Sequence, residues 1–325
     1  MATSANPNFD EIITTTLKNR TGKIADNVTN NNALLRVLSS KGNMMLEDGG
    51  QTLVEELDFQ ENGTFKYYSG NELLNVDATD VDSAAEYDWK QAAVSVQISG
   101  LKQRQNMGSN RVINLLAAKV KNAESTMANN LSTGIYSDGT GSSGKQIGGL
   151  QSLVADAPST GTVGGINRAN YSFWRNIAYD ATTDGGAAAT AANIQDYMNA
   201  VWIQLVRGSD NPDTIVADNN YYNLFQQSLQ SIQRITSAKS GSAGFESLEY
   251  CGSGGSAPVI LDNAAGTNHM YFLNTDYLFW KAHRDCNFAV TDEKQSINQD
   301  AIVKQILFMG NMTASNCSLQ GVLKD

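Results

Sequence analysis

The chain has 325 residues, 41% hydrophobic and 17% charged, with a negative mean hydropathy, enough to bury a sizeable core in two ordinary domains or in one domain with long insertions. No run of about 18 apolar residues occurs, which excludes a helix spanning a bilayer. A net charge of −10 and only two histidines argue against a dedicated nucleic-acid binder and against His-based metal or acid–base chemistry.

The charge is unevenly spread. From Lys41 to Gly100 three lysines face twelve carboxylates, whereas from Leu101 to Ser125 five basic residues accompany one acid, so an acidic segment abuts a basic one. The stretch Met1 to Asp10 lacks the basic and apolar regions of a secretory signal, so cytosolic synthesis is expected. Cys251, Cys286 and Cys317 are too far apart for a ligand pair and are expected to be reduced, small buried side chains.

In chain order, the Asn-rich first forty residues carry one helix-like stretch, Asn30 to Leu38 with Leu34, Leu35 and Leu38, and read as an arm rather than a core. Thr52 to Phe59 and Thr64 to Tyr68 flank Asn62-Gly63, the signature of a β-hairpin. An acidic stretch without period follows, Asn71 to Asp88. Val94, Val96 and Ile98 then alternate with Ser95, Gln97 and Ser99, as in a half-buried strand. Ser109 to about Ser132 predicts a long helix with Val112, Leu116, Val120, Ala123, Met127 and Leu131 on one face.

A Gly- and Ser-rich loop spans Asp138 to Gly149. Further helices are expected over Asn193 to Val206 and Asn219 to Ile235. Strands are expected over Thr214 to Ala217, Pro258 to Leu261, His269 to Leu273, Asn287 to Val290 and Ala301 to Met312.

Catalytic constellations are lacking. Gly139-Thr-Gly-Ser-Ser-Gly-Lys145 approaches a phosphate-binding loop, but Gln146 stands where a magnesium-binding Ser or Thr is needed, and the segment follows a helix rather than a strand. A turn is the plainer reading. His269 falls at the edge of an apolar strand and His283 in a charged run. Glu55 and Glu56 lie on a predicted strand and point to opposite faces, so they form no carboxylate pair.

The order of these parts resembles the tailed-bacteriophage major capsid proteins. So do Phe65-Lys-Tyr-Tyr-Ser-Gly70, Ala85-Glu-Tyr-Asp-Trp-Lys90, Val94 to Gly100, Tyr136-Ser-Asp-Gly-Thr-Gly141 and Ile147-Gly-Gly-Leu-Gln151. The resemblance implies an α+β, Hong Kong 97-like capsid fold. It would comprise an N-terminal arm (1–50), an extended β loop and return strand (51–100), a peripheral domain (101–190) with a spine helix (109–132), an axial domain (191–300) and a C-terminal strand (301–325) returning towards the peripheral domain. It implies no catalytic residue, cofactor or metal, and subunits that gather into hexamers and pentamers of an icosahedral shell around double-stranded DNA, contacted non-specifically. The protein would be found in the virion and assembled in the bacterial cytoplasm. Expected partners are a separate scaffolding protein, because the chain reaches the arm directly from Met1, a portal and decoration proteins, and no membrane.

The excursion Phe65 to Lys90, whose apolar residues are expected to be too sparse for a core of its own, is expected to lie across the adjacent subunit. Its carboxylates Glu72, Asp77, Asp80, Asp82, Glu86 and Asp88 would face the basic run Lys102, Arg104, Arg111, Lys119 and Lys121 of the neighbouring copy, unless some of these face packaged DNA, and Tyr67, Tyr87 and Trp89 would supply packing. Lys66 and Lys90 are the candidate lysines for a Lys–Asn cross-link. Two other readings compete: an encapsulin-like nanocompartment shell, and a cytosolic enzyme with a Gly-rich loop.

Overall fold

The computed structural model describes residues 32–77, 80–99, 109–229, 248–292, 294–295 and 301–325. Helix α1 (Ala33–Lys41) starts where the Asn32 side chain accepts the Leu35 N–H and stops at Gly42, whose φ of +80° suits glycine. Its Leu34, Leu35 and Leu38 are fully buried. This segment is therefore core, not arm: the apolar spacing outweighs its polar flanks. Strand β1 (Met44–Glu47) follows.

β2 (Leu53–Asp58) alternates strictly, with Glu55 inward and Glu56 outward, as the strand period requires. Its partner is β3 (Asp82–Tyr87), antiparallel with Leu53 opposite Tyr87 and Asp58 opposite Asp82, and not the 64–68 run. The Asn62-Gly63 signal is satisfied locally, by a Thr64 N–H donated to the Asn62 side chain, and the hairpin closes around a far longer loop. Burial selects β3, because Ala85 and Tyr87 bring apolar surface that 64–68 leaves exposed.

β4 (Lys90–Ser99) leads to α2 (Ser109–Gly134). Val120, Ala123, Met127 and Leu131 are buried as the stripe predicts, while the side chains of Val112 and Leu116 lie outside the described residues. Then come α3 (Leu150–Leu153), the small β5–β6 hairpin (Thr162–Val163, Ile166–Asn167), β7 (Ile177–Asp180) and α4 (Ile194–Leu205). β8 (Thr214–Ala217) precedes α5 (Asn219–Ser228), which the Asp218 side chain caps; the expected extension to Ile235 falls mostly outside the described residues. The remaining strands are β9 (Leu248–Gly252), β10 (Gly255–Leu261), β11 (His269–Leu273), β12 (Leu278–Val290), β13 (Lys294–Gln295), β14 (Ala301–Ala314) and β15 (Gly321–Lys324). The run Asn287 to Val290 is only the end of β12.

Two sheets organise these elements. In one, β14 pairs with β12 and β13 on one side and β4 on the other, and β1 adds to β12; the spine helix α2 packs on β4. The other runs β7-β15-β11-β8-β10-β9. Its strands bury both faces by alternation. Ile215, Ala217, Met270, Phe272 and Leu323 meet α4 and α5, whereas Val216, Tyr271, Leu273 and Val322 join the core that contains α1, α3 and the described part of α2. Of the cysteines only Cys317 is buried; Cys251 is exposed and Cys286 intermediate. Cys251 points outward on β9, where alternate side chains leave the core.

Candidate assembly surface

The extended hairpin is rooted firmly in its own chain. Tyr87 is 7% exposed; its hydroxyl donates to the Ala314 carbonyl at 2.9 Å and accepts the Ala314 N–H at 3.3 Å. Burial pushes that phenol well above the usual tyrosine range. Tyr87 is therefore used inside the subunit, which corrects its expected role at the interface: the inward side of β3 claims it. Trp89 donates its indole N–H to the Gly50 carbonyl at 3.0 Å and packs edge-on to His283. The Asn311 side chain receives the Gly148 N–H and donates to the Asp88 carbonyl, each at 2.9 Å. Gly164 lies against Ala85 so closely that an added Cβ would come within 2.8 Å of it, and its carbonyl accepts the Glu86 N–H.

Beyond this root the hairpin changes character. Its ladder continues through Phe59 N–H to the Val81 carbonyl at 3.0 Å and the Gln60 side chain to the Asp80 carbonyl at 2.6 Å. Past that point Phe65, Tyr67, Tyr68, Leu73, Leu74 and Val76 are between 50% and 93% exposed. Phe65 and Tyr67 stack edge-on at 5.1 Å, and the Lys66 ammonium pairs with Glu72 at 2.8 Å. The expected scarcity of apolar residues in the excursion does not hold here. The cluster Phe65-Lys-Tyr-Tyr68 after an Asn-Gly turn was the missed signal, an apolar set too far from the core to be buried by its own chain.

The carboxylates divide. Glu72 and Asp77 lie on the exposed loop, Asp80 at its base, and Asp82, Glu86 and Asp88 on the root, all exposed. Asp82 faces Asp58 across the ladder, and the hydrogen bond between them, with their mutual charge, raises the Asp82 carboxyl above its ordinary range. Lys90 donates to the Gly144 carbonyl at 2.8 Å and stands 3.9 Å from Asp88. Lys102 and Arg104 lie outside the described residues.

The Gly139 to Lys145 segment is a turn with Ser142 and Ser143 in left-handed conformation, following a helix, without the strand that a phosphate loop requires. Among the described residues no group of three or more metal-ligating side chains comes together.

The result is a two-sheet body with a long helix against one sheet and an apolar-tipped hairpin reaching out of it. The chain is similar to the capsid asymmetric unit of cyanophage A-1(L), with a TM-score of 0.66 at 13% identity over 89% of this chain and 92% of that one. It is also similar to the capsid of Myoviridae phage XM1, at 0.55 and 11% over 88% and 91%, and to that of the native GTA particle, at 0.53 and 10% over 88% and 89%. No curated protein matches the sequence. The model of the SU10 major capsid protein family matches residues 92–310, more than half of the chain. The chain belongs to that family, and it is a structural capsid protein.

Proposed function

We propose that the subunit assembles with copies of itself into hexamers and pentamers of an icosahedral shell that encloses double-stranded DNA. The excursion tip of each copy lies across the adjacent one. The observation that carries this reading is the exposed apolar set from Phe65 to Val76, displayed on a loop whose root is locked in place; such a surface on a self-associating protein belongs to an interface. Assembly takes place in the host cytoplasm with a scaffolding protein and a portal as partners, and the mature protein resides in the virion. Of the two candidate cross-link lysines, Lys66 is on the tip and Lys90 is held by Gly144, so a covalent link between copies would use Lys66. A single band near 35.0 kDa on denaturing gels of mature shells would rule that link out.

The test is a shortened hairpin. Because the ladder reaches Gln60 and Asp80, residues 62–78 can be replaced by a two-residue Asn-Gly turn without touching Ala85 or Tyr87. The variant is expected to unfold at the wild-type temperature as an isolated subunit and to form no closed shells by electron microscopy. Wild-type shells should protect double-stranded DNA from nuclease. Normal shells from the shortened chain would overturn the clamp.

A further inference from the structure

His269, at the start of β11, makes a contact that depends on a proton. Its Nδ1 lies 2.7 Å from the Thr267 carbonyl oxygen, and its Nε2 lies 3.1 Å from each carboxylate oxygen of Asp156. Carbonyls and carboxylates only accept hydrogen bonds, so both ring nitrogens need a hydrogen in this position. Only the imidazolium has both. A neutral ring, in either tautomer, would turn a lone pair towards an oxygen at one end. His283 is arranged differently: its Nδ1 accepts the Asp285 N–H at 3.1 Å.

The surroundings favour the cation. Asp156 follows α3 and also receives the Gln151 side chain. Asp218, the cap of α5, takes the Asn268 N–H at 2.8 Å and adds negative charge beside the ring. On β15, Lys324 is the register partner of His269, but its ammonium pairs with Asp180 of β7 at 3.1 Å. Tyr271 stacks on the ring at 5.9 Å. Burial opposes protonation of His269, yet the Asp156 and Thr267 bonds outweigh it and raise the ring above the ordinary histidine range. Asp156 moves the opposite way: burial is outweighed by the His269 bond, and its carboxyl is lowered.

Asp156 and His269 are 113 residues apart and belong to different layers, the turn after α3 and the sheet it covers. We propose that they form a proton-gated latch that fastens the 154–161 segment onto the six-stranded sheet and releases it when the imidazolium loses its proton. The sign follows from the raised histidine. The contribution is fully present below the unfolded value near 6.5 and is lost as the pH climbs through the folded one. The latch lies within one subunit, so it stands or falls independently of how subunits assemble.

Hydrogen–deuterium exchange on the full-length chain tests it, with rates corrected for the intrinsic pH dependence of exchange and helix α4 as internal reference. Peptides covering 154–161 should exchange severalfold faster at pH 9 than at pH 6 in the wild type. In Asp156→Asn they should be fast at both, and His283→Gln should behave as the wild type does. The melting-temperature gap between wild type and His269→Gln should be open at pH 6 and narrow by pH 9. If either variant fails to fold, the wild-type exchange comparison decides alone. Equal protection of 154–161 at both pH values, with α4 unchanged, overturns the latch.

Discussion

The Lys281 ammonium lies 2.9 Å from the Glu55 carboxylate in an ion pair whose side chains are only 8% and 11% exposed. The Thr313 hydroxyl donates to the same Glu55 oxygen, and Glu47 stands 3.6 Å from the ammonium. The pair ties β2, the fixed limb of the excursion, to β12 and β14. Removing one partner leaves a buried charge with weaker compensation. Glu55→Ala should cost about 3–5 kcal/mol, towards the lower end because Glu47 remains. The double variant Glu55→Leu with Lys281→Met should recover most of that loss. Denaturant midpoints of the three proteins measure it.

Tyr87→Phe isolates the second fastening of the root. It keeps the ring and removes a hydroxyl that serves both polar groups of Ala314. With no room for solvent there, the expected loss is about 1–3 kcal/mol, with assembly retained once the subunit is folded. A loss of assembly without a loss of stability would place Tyr87 at the interface after all.

Much of the fold could be read from local pattern. β8 and β11 have the bounds that their apolar runs predict, α4 differs from its prediction by one residue at each end, and Val120, Ala123, Met127 and Leu131 face inward as the helical period requires. What could not be read depends on distant partners. β3 was hidden because Ala85 and Tyr87 become apolar anchors only when β2 arrives from across a long loop. β15, four residues with three of them buried, has no period to detect and is defined by β11 and β7 on either side. At the candidate surface, the sequence located the excursion and its carboxylates. It misjudged Tyr87, since strand parity is fixed only by pairing.

The spine can be tested where its side chains are described. Leu131 is 3% exposed among α2 and its neighbours, so Leu131→Ala should cost about 2–5 kcal/mol by transfer and cavity terms. Leu131→Asp should prevent folding. A thermal midpoint for Leu131→Ala within error of the wild type would remove α2 from its role as a structural beam.

Asp82 and Asp58 make the hairpin sensitive to acid in an unusual sense. The Asp82 carboxyl is raised by its bond to Asp58, so the folded hairpin binds this proton more tightly than the unfolded chain does. Its contribution is present at low pH and is lost as the pH rises through the folded value. Asp82→Asn should therefore leave the subunit as stable as the wild type at pH 7, or slightly more so, and flatten this part of the stability profile near pH 4. Melting curves of the two proteins from pH 3.5 to 7 provide the comparison.

Packing and charge at the tip should separate by salt. Each exposed ion pair is worth about 0–1 kcal/mol, and physiological salt screens over about 8 Å. The apolar tip should therefore supply most of the affinity, and charge the register. Tyr67→Ser with Leu73→Ser removes two side chains that are 89% and 93% exposed. The variant should fold normally and assemble poorly at every ionic strength. Lys102→Glu with Arg104→Glu reverses the basic run that follows the return strand in sequence. Its assembly should fall most at low ionic strength and approach that of the wild type as salt is raised. Light scattering of assembly reactions across a salt series distinguishes them. Charge-reversed subunits that assemble like the wild type at low salt would show that the carboxylates of the excursion do not use that basic run, leaving the apolar tip as the whole of the clamp.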